Sequence, residues 1–209
     1  MILSADTIIA FFTASTLLAV APGPDNLFVL AQSARYGPLA GIFVVLGLCT
    51  GLLVHTSAVA FGVAALVQAS PVAFAILKYL GAAYLLYLAW LAFRSKESQA
   101  SAAQGQKPDY ARLYRQGILM NVTNPKVSLF FLALLPQFAK PQLGSVTVQL
   151  LLLGGLFIVA TIIVFGAIAL LAGTLNRWFL RSERGQLLLN RLAGVVFVGL
   201  ALKIATTKP

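Results

Sequence analysis

Long stretches without a formally charged side chain restrict this chain to structures that a lipid bilayer can hold. Residues 36–77, 79–93 and 141–176 contain no Asp, Glu, Lys or Arg. A helix of about 20 residues crosses the roughly 30 Å of bilayer hydrocarbon. The chain is 60% hydrophobic and only 10% charged, whereas about a quarter of the residues in a soluble domain are charged. The sequence therefore predicts an integral membrane protein.

The pattern favours a bundle of α-helices over a closed β-barrel. Barrel strands are segments of about ten residues in which apolar and polar side chains alternate. None of the charge-free stretches alternates in that way. We predict an all-α integral membrane protein with six transmembrane helices, near residues 7–34, 39–67, 72–93, 113–138, 146–175 and 187–206.

A polar segment divides the chain into two halves. Residues 94–112 are rich in Ser, Ala, Gln and charged side chains, which is typical of a solvated linker. The predicted organisation is a first three-helix membrane repeat at 1–93, a cytoplasmic linker at 94–112 and a second three-helix repeat at 113–209. Apolar residues 8–18 resemble a signal-peptide core, but Asp6 and no basic residue precedes them, so we expect the first helix to be retained.

The basic residues indicate the orientation of the predicted helices. The gaps after the first, third and fifth spans hold ten Lys and Arg residues, and the opposite side holds four. Because Lys and Arg are enriched in cytoplasmic loops, the first set of gaps is predicted to face the cytoplasm and both termini to face the outside. Membrane topology thus accounts for the net charge of +10 without a nucleic-acid partner.

Cysteine, histidine and carboxylate usage argues against a metal centre or an enzyme active site. The chain has one Cys and one His, so it forms neither an internal disulfide nor a zinc-ligand cluster. Its five carboxylates are too dispersed for a paired acid–base site, and the Gly-x4-Gly-Lys-Ser/Thr pattern of ATP-binding loops is absent from the sequence. We predict no enzyme activity, no cofactor and no metal.

Two predicted spans are interrupted by proline-containing motifs at corresponding positions of the two halves. The motifs are Ala21-Pro22-Gly23-Pro24-Asp25-Asn26 and Asn121-Val122-Thr123-Asn124-Pro125-Lys126. Aligning Pro24 with Pro125 also aligns Asp25 with Lys126. In transporters, interrupted segments at matching positions of two repeats indicate the central binding site. Because each half has an odd number of spans, we predict inverted topology for the two repeats.

New half-helices are predicted to begin at Pro24 and Pro125. Proline suits the first position of a helix, and the residues directly before them, Gly23 and Asn124, are favourable N-caps. Lys126 then carries its charge beside the positive end of a helix dipole. It also lies inside a membrane span, where a charge costs roughly 2.5–3.5 kcal/mol on insertion scales. Lys126 therefore requires an anionic partner.

Two interpretations of Asp25 and Lys126 remain open. In the first they form a site for a zwitterion, in which Asp25 binds an ammonium group while Lys126 and the half-helix N-terminus bind a carboxylate. In the second they form an internal salt bridge that only holds the bundle together. We favour the first because ionisable residues inside membranes usually have functional roles. Further hydrogen bonds to a zwitterion are predicted from Asn26, Asn121, Asn124 and Ser128.

Two residues are candidates for carrying a proton. Asp25 lies in the first helix break, and His55 lies in the second predicted span. An imidazole has an ordinary pKa near physiological pH, which suits proton transfer. A hydrogen-bonded interior histidine without such a role is an equally good interpretation of His55, and the spacing does not decide between the two.

Three motifs follow one another along nearly the whole chain. They are the first break motif, then Lys78-Tyr79-Leu80-Gly81-Ala82-Ala83-Tyr84-Leu85-Leu86-Tyr87-Leu88, and the second break motif continuing to Phe130-Phe131 and Pro136-Gln137-Phe138. In this order they resemble the LysE/RhtB family of amino-acid exporters. The resemblance implies a carrier in the bacterial inner (cytoplasmic) membrane that exports amino acids and is driven by the proton gradient. The chain is most similar to the neutral-amino-acid branch, which includes the leucine, homoserine and threonine exporters.

Two other functions stay open at the level of sequence. One is a carrier or channel for another small ion or metabolite on the same scaffold. The other is a non-transporting membrane partner protein, for which broken helices would be unnecessary. Assembly into a homo-oligomer is compatible with all three functions.

Overall fold

The computed structural model describes residues 2–21, 23–69 and 108–179, together with individual positions between 72 and 94 and between 191 and 202. Helices form the framework of this part of the chain, and no strand occurs in it. The helices are α1 (Ala5–Val20), α2 (Pro24–Tyr36), α3 (Pro38–Ala69), α4 (Tyr110–Thr123), α5 (Pro125–Ala133) and α6 (Val146–Phe179). Two short 3-10 turns, Leu135–Phe138 and Pro141–Leu143, connect α5 to α6.

The lengths and apolar character of these helices agree with membrane spans. α3 and α6 each contain a segment that is long and apolar enough to cross a membrane, Pro38–Gly62 and Val146–Ala172. The pair α1–α2 and the pair of α4 with Pro125–Phe138, which is α5 and the 3-10 turn after it, meet the same criterion when each pair is joined, and they bend by 60° and 53° at their breaks. The described residues therefore hold two spans, or up to four if each bent pair is one span. The prediction of an all-α membrane protein is confirmed for this part of the chain.

Four of the six predicted spans coincide with these helices. Most of the predicted spans at 72–93 and 187–206, and most of the predicted linker at 94–112, lie outside the described residues. α4 begins three residues before the predicted span, because the carboxylate of Asp109 caps it by accepting a hydrogen bond of 3.0 Å from the backbone N–H of Arg112. The total of six helices and the inverted repeat stay predictions.

Both predicted helix breaks are present. α2 begins at Pro24, and the residue before it, Gly23, is an extended N-cap with φ −168° and ψ 177°. α5 begins at Pro125 after the N-cap Asn124, which has φ −74° and ψ 109°. Proline disfavours helical backbone in the residue that precedes it, so each motif ends one helix and starts another. The predicted half-helix starts are confirmed, and Pro22 lies outside the described residues.

Glycines allow α3 and α4 to cross at very short distance. A Cβ added to Gly117 would lie 2.5 Å from a carbonyl oxygen of α3, and one added to Gly47 would overlap with the carbonyl oxygen of Tyr114. One turn further along α3, a Cβ on Gly51 would lie 2.7 Å from Cβ and Oδ1 of Asn121. Because these glycines have no side chain, the end of α4, including Asn121, can lie directly against α3.

Two apolar clusters meet between these helices. One is dominated by phenylalanine rings, and in it the ring centroids of Phe11 and Phe138 are 5.1 Å apart in an edge-on arrangement. The other is centred on buried side chains of α3 such as Val44 and Leu48. A cavity that also has polar side chains in its wall is lined by members of both clusters and therefore lies at their junction. The fold thus places polar groups in the middle of an apolar bundle.

Candidate functional site

The cavity at the junction of the two clusters joins the two helix breaks. It has a volume of about 20 Å³, which is room for about one water molecule. Apolar side chains from α1, α3, α5 and α6 form most of its wall. Its polar lining consists of Asp25, Asn26, Asn121, Asn124, Lys126 and Thr161.

Lys126 spans the space between the second break and the first. The backbone of Lys126 lies in the first turn of α5. Its ammonium Nζ donates hydrogen bonds to the carbonyl oxygens of Leu18 at 2.9 Å and Ala21 at 2.7 Å, which belong to α1 and its C-cap. These carbonyls belong to the C-terminal end of α1, which is the negative end of that helix dipole. The cation is therefore disfavoured by the helix that carries it and favoured by the helix that it reaches.

Asn26 completes the cap on the end of α1. Its amide Nδ2 donates a hydrogen bond of 2.7 Å to the carbonyl oxygen of Ala19. The final carbonyls of a helix have no partner within the helix and need one elsewhere. Here the carbonyls of Leu18, Ala19 and Ala21 are bonded by two side chains from outside α1. The first break is thus held open by polar contacts rather than by apolar packing.

Asp25 is buried in the same cavity, with 5% of its surface exposed. Its Oδ2 accepts a hydrogen bond of 3.5 Å from Nδ2 of Asn121, and the side chain of Asn124 also faces the carboxylate. Asp25 and Lys126 are close enough for their charges to attract each other. Oδ1 of Asp25 and Oδ1 of Asn121 are buried and have no hydrogen-bond partner among the described residues. Since buried polar atoms are normally bonded, these two acceptors are candidate contacts for a ligand.

Asn124 separates the small cavity from a larger one. Its Oδ1 accepts a hydrogen bond of 3.0 Å from the backbone N–H of Lys126, which fixes the start of α5. The second cavity has a volume of about 430 Å³ and lies between α2, α4 and the start of α5. Its lining includes Asn124 and both half-helix prolines, Pro24 and Pro125. Asn124 therefore borders both spaces.

Two predicted site residues do not line the small cavity. Oγ of Ser128 donates a hydrogen bond of 3.0 Å to the carbonyl oxygen of Asn124, one turn back in its own helix. Nε2 of His55 lies 3.2 Å from the carbonyl oxygen of Asn121, so His55 contacts the main chain beside the site. The structure brings the other predicted ligands, Asp25, Asn26, Asn121, Asn124 and Lys126, together around one space.

One lining residue was missed by the sequence analysis. Thr161 of α6 is 2% exposed, and its Oγ1 has no hydrogen-bond partner among the described residues. It is the only polar side chain between Gln149 and Thr174 in a long apolar helix, which is a signal that could have identified it. The carbonyl oxygens of α1 could not be identified from the sequence, because every residue has the same main-chain carbonyl group.

Curated proteins of similar length resemble this chain along almost its whole extent. A homoserine/homoserine lactone efflux protein of Salmonella typhimurium is 32% identical over 199 residues, which cover 95% of this chain and 96% of that protein. An uncharacterized membrane protein of Pseudomonas aeruginosa is 35% identical over 192 residues, or 88% of each chain. An uncharacterized membrane protein of Bacillus subtilis is 30% identical over 206 residues, which cover 94% of this chain and 97% of that protein.

No solved structure matches the chain. The family model of the LysE type translocators matches residues 16–208, a range that includes both break motifs. With relatives that are matched from end to end at 30% identity or more, this match shows that the chain belongs to the LysE type translocator family.

Proposed function

We propose that the protein is a secondary transporter that exports amino acids, with neutral aliphatic or hydroxy amino acids as substrates. The observation that carries the proposal is the meeting of Asp25 and Lys126, one from each interrupted helix pair, in one buried cavity. The similarity to a homoserine/homoserine lactone efflux protein supports a small substrate with an amino group. The site would lie near the midplane of the bacterial inner membrane, between two inverted three-helix repeats, with both termini outside.

The charges of the site match the two ends of an amino acid. The ammonium end would face Asp25 and the carbonyl end of α1, because both are negative. The carboxylate end would face the N–H groups at the start of α5, the amide of Asn121 and the ammonium of Lys126. Each charge of a bound zwitterion would thereby have a partner from the protein. Such partners are required because a charge buried in an apolar bundle is costly unless it is paired.

The small volume of the cavity supports alternating access. An amino acid has several non-hydrogen atoms and needs more space than about 20 Å³, the room of a single water molecule. The site must therefore enlarge to bind substrate. Opening at Asn124 would connect it to the adjoining cavity of about 430 Å³. The two breaks are suitable hinges, because backbone conformation there is not constrained by helical hydrogen bonds.

Export by cells that overproduce the protein is the direct test. Cells are loaded with a panel of amino acids as dipeptides, and efflux is compared with that of cells carrying the empty vector. We expect faster efflux of neutral aliphatic or hydroxy amino acids, homoserine included, and no change for lysine or glutamate. If no amino acid leaves the cells faster than in the vector control, the proposal is wrong.

We expect Asp25→Asn to uncouple transport from protons, because the amide keeps the shape of the carboxylate but cannot exchange a proton. In proteoliposomes, a pH gradient should no longer accelerate efflux, because the group that exchanges the proton is absent. Exchange of labelled for unlabelled substrate needs no net proton movement and should continue. His55→Gln is the matched variant, since His55 bonds only the main chain beside the cavity. Uncoupling by His55→Gln alone would assign the proton to the histidine instead.

A further inference from the structure

The C-terminal end of α1 presents carbonyl oxygens that can bind a cation. Three of its last carbonyl oxygens, those of Leu18, Ala19 and Ala21, receive hydrogen bonds from side chains outside the helix. The helix dipole makes this end negative, and the buried carboxylate of Asp25 lines the same cavity. Oδ1 of Asp25 has no partner among the described residues.

The group that occupies this acceptor is itself a primary ammonium. Nζ of Lys126 has the same charge and the same N–H donors as the amino end of an amino acid. It reaches the carbonyls from α5, the element whose N-terminus repels a cation and attracts an anion. Lys126 is therefore placed to leave α1 and approach a carboxylate at its own helix end, provided that another cation takes its position.

We propose that the C-terminal carbonyls of α1 form a binding site for a primary ammonium group, and that Lys126 fills this site until the substrate displaces it. The proposal rests on the proposed function, since the displacing group is the ammonium of an amino acid. On displacement Lys126 pairs with the substrate carboxylate. The ammonium of Lys126 and the last carbonyls of α1 then have a partner in both the empty and the loaded carrier, which keeps the free-energy cost of both states low.

The ammonium site can be tested in purified protein without any measurement of transport. Lys126→Ala removes the atoms from Cγ to Nζ, and n-propylammonium replaces those atoms. We expect n-propylammonium at ten times its dissociation constant to raise the melting temperature of Lys126→Ala by about 3–6 °C. Tetramethylammonium has the same charge but no N–H donor and should have no effect. Wild type and Lys140→Ala, which loses an exposed lysine, should not respond to either cation.

Displacement is tested on the same variant by NMR with ¹³C-labelled n-propylammonium. Homoserine should displace the bound label, and N-acetylhomoserine, which lacks the ammonium, should not. The proposed ammonium site is wrong if n-propylammonium raises neither the melting temperature of Lys126→Ala nor the amount of this variant recovered during purification. Rescue without displacement by homoserine or leucine makes Lys126 a structural cap only and also overturns the proposal. If the ammonium site fails in either of these ways but the protein exports amino acids, the proposed function still holds. If rescue and displacement are both observed but no amino acid is exported, the proposed function is wrong and the ammonium site is not.

Discussion

Export by the Lys126→Met variant is expected to fall about 100-fold or more. Methionine has nearly the length of lysine but no charge and no N–H donor, so the hydrogen bonds to the carbonyls of Leu18 and Ala21 are lost. The proposed pairing of the ammonium with the substrate carboxylate is lost as well. A hydrogen bond from a charged group contributes roughly 1.5–3 kcal/mol, so the loss of two such bonds to the carboxylate corresponds to a factor of 100 or more in export. Folding should survive with a loss of roughly 1–3 kcal/mol, because a water molecule can enter the adjacent cavity and bond the carbonyls.

The measurement is efflux of the best substrate, normalised to the amount of folded protein in the membrane. Lys140→Met is the matched control, since Lys140 is an exposed lysine in the connection between α5 and α6. We expect it to transport at the wild-type rate. Normal export by Lys126→Met would contradict a role for this ammonium in the transport cycle, and an equal loss in both variants would indicate a general effect of removing a lysine.

The helix breaks could be predicted from sequence because proline and its N-cap act locally. Pro24 and Pro125 set the start of α2 and α5 through their own backbone geometry. The convergence of Asp25 and Lys126 also followed from aligning the two motifs. The breaks thus need only a local signal, whereas the convergence needed the comparison of two motifs at matching positions of the two halves.

The partner of Lys126 could not be predicted in the same way. Its ammonium bonds main-chain oxygens that are 105 and 108 residues away in the chain, and any carbonyl looks the same in a sequence. The dipole argument indicated that the cation needed a negative group, and the sequence offered only carboxylates for that role. The negative end of α1 becomes visible as an alternative only when the two helix pairs are placed together.

Polar residues of α6 illustrate a second limit. Gln149 and Thr161 are both buried in a long apolar helix, with 0% and 2% of their surfaces exposed. Gln149 is fully used in structure, since it bonds the backbone N–H and carbonyl of Lys140 and the carbonyl of Gly144. Thr161 lines the cavity instead. Sequence alone treats the two alike, because their positions along α6, about 18 Å apart at 1.5 Å per residue, decide which one reaches the cavity only once the neighbouring helices are in place.

Gly47→Ala is expected to destabilise the protein by about 3 kcal/mol or more, at the upper end of the cost of overpacking. The new methyl group would overlap with the carbonyl oxygen of Tyr114, and it would lie 3.0 Å from Cα of Gly117 and from the backbone N of Ile118. All three are main-chain atoms of α4, which cannot rotate away as a side chain would. The two helices must therefore separate along their whole crossing.

Separation of α3 and α4 would also change the site, since Asn121 lies against Gly51 and donates a hydrogen bond to Asp25. We therefore expect the Gly47→Ala protein that does reach the membrane to export poorly, and to melt at a lower temperature in detergent. Gly62→Ala in the same helix is the matched control, because a Cβ at Gly62 meets no described atom within 4 Å. That variant should keep or slightly raise stability, as alanine favours helix over glycine by about 1 kcal/mol. Equal melting temperatures for the two variants would mean that α3 and α4 do not cross at Gly47.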